Sequence, residues 1–139
     1  MAIRDKYEGS TLDHIGVAVS DAQRSRDFYV KALAPLGIEL KLSIPPERSP
    51  AGGGLHGFGA THKPYFWIHD NEQVAEGTHI AFTAPDRATV DAFYEAALAA
   101  GGRDNGPPGI RSMYHQDYYG AFVLDPDGIN VEAVCHRPE

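Results

Sequence analysis

The chain resembles itself. Displaced by 65 positions without a gap, residues 14–37 fall on 79–102, laying His14-Ile15 on His79-Ile80, Asp21 on Asp86 and Phe28-Tyr29 on Phe93-Tyr94. Ala32-Leu33-Ala34 then falls on Ala97-Leu98-Ala99 and Gly37 on Gly102, making nine identities in 24 positions. Ordinary residue usage gives about one or two by chance. Such a repeat constrains the fold more than any other feature of the sequence, because two related modules must adopt the same local structure. Module 1 is placed at about 10–70 and module 2 at about 76–137, in a single domain spanning 1–139.

Each module opens on strand alternation. Ile15, Val17 and Val19 alternate with His14, Gly16 and Ala18, and Ile80 and Phe82 alternate with His79, Ala81 and Thr83. Side chains alternate across a strand, so the bulky apolar set lies on one face and the histidine with its small neighbours on the other. A helix is predicted to follow each strand, starting near Asp21 and Asp86, residues suited to capping a helix N-terminus. Phe28, Tyr29, Ala32, Leu33 and Leu36 recur at helical spacing, as do Val90, Phe93, Tyr94, Ala97 and Leu98. These stripes are expected to cover the bulky strand faces as core, with Gly37 and Gly101-Gly102 as stops.

The rest of each module reads as strands: Ile38 to Ile44, Leu55 to Ala60 and Tyr65 to His69 in the first, Ile110 to Tyr114, Tyr119 to Leu124 and Ile129 to His136 in the second. Asp125-Pro126-Asp127-Gly128 suits a type I turn joining the last two as a hairpin. Each module is therefore βαβββ, and the fold class is α+β. The stretch containing Pro45, Pro46, Pro50 and Gly52 to Gly54 lacks the lysine and hydroxyl residue of a phosphate-binding loop and is expected to be a flexible loop at the mouth of a site.

Composition limits the partners. A net charge of −7 and a sequence pI near 5.4 argue against nucleic acid, which needs a concentrated basic surface. No apolar run approaches the roughly 18 residues that cross a bilayer. The lone Cys135 cannot form an intrachain disulfide, and the charged N-terminal stretch does not read as a signal peptide, so a cytoplasmic location and a small-molecule partner are expected.

Parity along the last strand brings the chemistry together. Val131, Ala133 and Cys135 share the helix-facing side, so Glu132 points with His14 and His79 toward the roomier face. Two imidazoles and a carboxylate offer neutral nitrogen and anionic oxygen to a divalent ion and leave positions open for water or substrate. Zinc, nickel, manganese and ferrous iron all suit this donor set. A carboxylate among Val131, Ala133, Val134 and Cys135 is costly to bury without a cation or hydrogen-bond donors, which makes Glu132 the strongest member.

The repeat, the openings DHIGVAVSD and THIAFTAPD, and the ending YYGAFVLDPDGINVEAVCH resemble the vicinal oxygen chelate superfamily, which includes glyoxalases, extradiol dioxygenases and bleomycin resistance proteins. The resemblance implies paired βαβββ modules in a curved mixed sheet around a metal, with helices on the convex side. It places His14, His79 and Glu132 on three of the family's metal positions and implies a homodimer. The fourth position departs from glyoxalase I, since the residue 65 before Glu132 is Trp67; a shift of two residues substitutes Tyr65 or His69, and neither is acidic.

The expected activity is polarisation of two neighbouring oxygens of a small substrate by the metal. The alternatives are an extradiol-type iron dioxygenase and a drug-binding resistance protein without catalysis. Glu132 and His115 are the candidate catalytic residues, and Trp67, Tyr65, His69, Tyr114 and Tyr119 the candidate substrate contacts. His56 and His62 receive no role, and His136 is expected at the surface.

Overall fold

A computed structural model describes residues 12–49 and 52–139; the N-terminal stretch and Pro50 lie outside the described residues. Module 1 runs β1 (Ile15–Ala18), α1 (Ala22–Ala32), β2 (Glu39–Ile44), β3 (Leu55–Gly59) and β4 (Phe66–His69). Module 2 runs β5 (His79–Thr83), α2 (Arg87–Ala99), β6 (Arg103–Asp104), β7 (Gly109–Ile110), β8 (Tyr119–Leu124) and β9 (Asn130–Cys135).

Both helices begin where the acidic caps predict. Asp21 accepts a hydrogen bond from the Arg24 amide and Asp86 from the Thr89 amide, each satisfying a donor the first helical turn leaves unpaired. α1 ends at Ala32, three residues before Pro35, and the chain closes a 3-10 turn before Gly37 reverses it at φ 74°.

The strands form two mixed sheets, ordered β1-β4-β3-β2 and β5-β9-β8-β6, with β7 also on β8. In each, the first strand lies at an edge and runs parallel to the last. The helices pack on each other between the sheets, and Phe66 of β4 meets Phe82 of β5 edge to face at 5.3 Å. Phe28, Tyr29, Phe58, Phe66, Phe93, Val123 and Val131 form one buried core spanning both modules. The helical aromatics are thus packing residues, as their spacing predicts.

One expectation changes. The strand expected at Ile110 to Tyr114 is cut to Gly109–Ile110, and residues 112–114 turn, with the Tyr114 amide donating to the Arg111 carbonyl. Pro107 and Pro108 offer no amide to a ladder, so this edge of the sheet divides into the short β6 and β7. The hairpin turn holds as predicted: Gly128 donates to the Asp125 carbonyl at 2.9 Å and takes φ 82°. Asp125 is buried beneath it, accepting from the Asp127 and Ile129 amides and from the Tyr29 hydroxyl of the other module.

Candidate metal centre

The hairpin register fixes the open face of module 2. Ala81 and Phe122 flank Glu132 on its two neighbouring strands, and His79 pairs with Asn130. Glu132 is 1% exposed. Its Oε1 lies 3.0 Å from His79 Nε2, and its Oε2 accepts a hydrogen bond from the Tyr118 hydroxyl. Burial, reinforced by the carboxylate, pushes the Tyr118 phenol well above its ordinary value, so it remains a donor. Gly120 leaves room for the pair: a Cβ there would stand 3.1 Å from Glu132 Oε2 and 3.2 Å from the Tyr118 ring.

The partners of His79 define its useful state. Nδ1 lies 3.0 Å from the Asn130 carbonyl oxygen, an acceptor, so this nitrogen carries the proton and donates. Nε2 then presents its lone pair to a carboxylate oxygen, also an acceptor, and a cation must lie between them: a second imidazole proton or a metal ion. A carbonyl accepting from Nδ1 while Nε2 faces a carboxylate is the support typical of a metal-bound imidazole. A nitrogen and an oxygen bound to one small divalent ion at about 2.1 Å each come to about 3.0–3.4 Å of each other, from octahedral to tetrahedral angles. These two side chains suit a divalent ion as two of its donors.

His14 is oriented in the same way in module 1. Its Nδ1 lies 2.6 Å from Asp13 Oδ2, and Asp13 is itself held by Lys63, leaving Nε2 as the outward nitrogen. The registers make the modules equivalent residue by residue: Gly16 pairs with Trp67 as Ala81 pairs with Glu132. Trp67 therefore occupies the position that Glu132 holds in module 2. It lies over Gly57, where an added Cβ would come within 2.9 Å of the indole. Tyr65 and His69 share its parity; His69 stands beside Gly16 with its buried Nδ1 unpartnered among the described residues.

One chain does not assemble the full donor set. Among the described residues no third His, Cys, Asp or Glu joins His79 and Glu132 in a metal-sized cluster, and His14 stays on the other sheet.

The remaining candidates divide by face. Tyr119 lies on the helix side, its hydroxyl donating to Asp91 and its ring under Arg87, so the expectation that it contacts substrate is corrected; the Asp91 carboxylate pushes its pKa up to about 12. Tyr114 is exposed and rests on Tyr118. His115 Nδ1 accepts from the Asp117 amide, so Nε2 bears the proton and donates to His136 Nδ1 at 2.9 Å. His136 is therefore not the surface residue expected; it packs against Tyr118, and burial together with His115 lowers its pKa.

Sequence reasoning missed Arg111 and the direct role of Tyr118. Tyr118 was reachable: counting outward from the Asp125–Gly128 turn pairs Phe122 with Glu132 and brings Tyr118 to the same face. Arg111 gave no such signal, because its placement depends on the break at Pro107-Pro108.

Among the described residues no helix is long and apolar enough to cross a membrane. A glyoxalase/bleomycin resistance protein from Albidiferax ferrireducens T118 is similar to this chain at 28% identity, covering 93% of this chain and 100% of its own, with a TM-score of 0.70. A glyoxalase/bleomycin resistance protein/dioxygenase family enzyme from Burkholderia phytofirmans PsJN shares the fold at 18% identity, covering 92% of this chain and 100% of its own, with a TM-score of 0.66. The trypanothione-dependent glyoxalase I of Leishmania major does so at 20% identity, covering 92% and 88%, with a TM-score of 0.60. None of the curated proteins searched matches this chain. The Glyoxalase/Bleomycin resistance protein/Dioxygenase superfamily profile matches residues 11–133, and the chain belongs to that superfamily.

Proposed function

We propose that the protein is a divalent-metal enzyme acting on a small molecule with two neighbouring oxygens, and that its donor set is completed across a homodimer. The observation that carries this reading is the His79 and Glu132 pair: an imidazole nitrogen and a buried carboxylate oxygen 3.0 Å apart, with the second imidazole nitrogen committed to the Asn130 carbonyl. Zinc, nickel, manganese and ferrous iron all suit such donors. When bound, the ion supplies Lewis-acid stabilisation of an enolate or oxyanion developing on the substrate.

The chain's own residues do the rest. Asn130 and Asp13 hold the imidazoles in the Nδ1-protonated form, and Tyr118 orients the carboxylate of Glu132. His115, whose Nδ1 is held by the Asp117 amide, exchanges a proton with the substrate through Nε2 once the substrate takes the place of His136 on that nitrogen. Tyr65, Trp67, His69 and Tyr114 supply apolar and aromatic walls.

The edges support the dimer. Among the described strands, β1 pairs only with β4 and β5 only with β9, so each offers an unpaired edge beside a histidine. A two-fold arrangement setting β1 of one protomer beside β5 of its partner satisfies both edges and brings His14 toward a His79 and Glu132 pair. The test is complementation. H14A and E132Q chains bind no metal as separate homodimers, whereas their mixed dimer regains one intact site and half the wild-type metal. Absence of metal in the mixed dimer, with wild-type dimers loaded, contradicts the shared site.

Trp67 favours one second reading. A non-ligating residue at the fourth position leaves two histidines and one carboxylate, the donor set of iron enzymes that activate oxygen. Oxygen uptake with catechols, set beside hemithioacetal isomerisation, separates the two chemistries.

A further inference from the structure

The loop between β7 and β8 brings a cation to the open face. The Arg111 guanidinium donates from one terminal nitrogen to the Gly109 carbonyl at 2.8 Å and from the other to the Pro107 carbonyl at 2.6 Å. It lies 5.3 Å from the centroid of the Phe122 ring, on which His79 also stacks at 6.1 Å. Its charge is felt at Tyr118, whose hydroxyl rests on Glu132.

In a chain of net charge −7 this cation is singular. Among the described residues Arg24, Arg26, Lys41, Lys63 and Arg87 each have a carboxylate within 4.0 Å. Lys31, Arg48, Arg103 and Arg137 have none but are exposed. Arg111 is half-buried, held at both ends by backbone carbonyls and, among the described residues, without a carboxylate partner. Fixing the fork in advance removes most of the side-chain entropy cost of binding, and a guanidinium on an aromatic face is less hydrated than one in water. The remaining N–H groups suit a planar oxyanion.

We infer that Arg111 is a substrate-recognition residue and that the site takes a small organic carboxylate, whose anionic group meets Arg111 while its neighbouring oxygens approach His79 and Glu132. The second half of this inference rests on the metal-enzyme reading; the first does not. Because one Phe122 ring adjoins both the imidazole and the guanidinium, the two ends of the substrate are separated by a short, flat, uncharged spacer.

Catechol and 3,4-dihydroxybenzoate form a matched pair of probes, differing only in the carboxylate. Calorimetric titration of the wild-type protein is expected to give about ten-fold tighter binding of the benzoate. R111M, which keeps the length of the stem, abolishes that ratio and lowers the melting temperature by only a few degrees through the lost loop hydrogen bonds, while leaving metal content and catechol affinity unchanged, and R111K restores part of the ratio. E132Q weakens both ligands together and preserves their ratio. If the metal reading fails, both ligands bind weakly to wild-type protein and the ratio still reports on Arg111. A ratio near one in wild-type protein, or an unchanged ratio in R111M, overturns the inference.

Discussion

Asp125 and Glu132 are buried on one hairpin, yet the molecule treats them in opposite ways. Asp125 faces the helices and is satisfied by the fold itself, through the Asp127 and Ile129 amides and the Tyr29 hydroxyl. Glu132 faces away from the helices and, among the described residues, is met only by side chains: one phenol, and one imidazole nitrogen 3.0 Å away. A carboxylate ringed by backbone donors builds the structure. One held by two side chains alone is open to a cation, and on the proposed metal-enzyme reading the difference separates an acid that holds the fold from an acid that does chemistry.

Breaking each side in turn sharpens the contrast. The largest effect is expected for E132Q: metal content falls to background and activity drops by at least about a hundred-fold, while the melting temperature changes by only a few degrees, because removing a buried charge offsets the lost hydrogen bonds. D125A gives the reverse. It leaves the buried Ile129 amide, the part-buried Asp127 amide and the Tyr29 hydroxyl without an acceptor, costs about 2–4 kcal/mol in denaturant unfolding, and leaves metal stoichiometry in the folded protein intact.

G120A is the next step down. Its Cβ would press on Glu132 Oε2 and the Tyr118 ring, so metal affinity falls several-fold with little loss of stability. Y118F, which frees Oε2 but keeps the ring, lowers metal affinity by about ten-fold at most. The smallest effect is in pH. Burial holds His56 and His136 below the ordinary imidazole value, with Arg26 adding to the effect at His56 and His115 at His136. The unfolded chain therefore takes up protons first, and stability declines as pH falls through about 6.5, a slope that thermal unfolding of H136N should reduce.

Much of this was legible in the sequence because it is carried by local rules. The repeat placed both helices, the Asp caps set their starts, and the DPDG turn fixed the register of β8 and β9. That register, with strand parity, put Glu132 and His79 on one face. Parity also placed Tyr65, Trp67 and His69 beside His14, and the gapless repeat identified Trp67 as the counterpart of Glu132.

What sequence missed depends on breaks in those rules. Two prolines interrupt the edge of the second sheet, so a strand drawn through Tyr114 became a turn carrying Arg111 to the open face. Tyr119, adjacent to Tyr118, lies on the opposite face, so treating the aromatic run as one wall of the site hid a difference that counting from the Asp125–Gly128 turn reveals. Alternation likewise cannot say whether two edge strands meet within a chain; here β1 and β5 belong to separate sheets, leaving His14 away from His79.

The claim on which everything rests is that His79 Nε2 and Glu132 Oε1 share a metal ion rather than a proton. Pulsed electron paramagnetic resonance of copper-loaded protein counts bound imidazoles through the modulation from their remote nitrogens. The account predicts two imidazoles on the ion in wild-type protein, one in H79A and one in H14A, with no site-bound copper in E132Q. Wild-type modulation persisting in H79A, or site-bound copper persisting in E132Q, contradicts it.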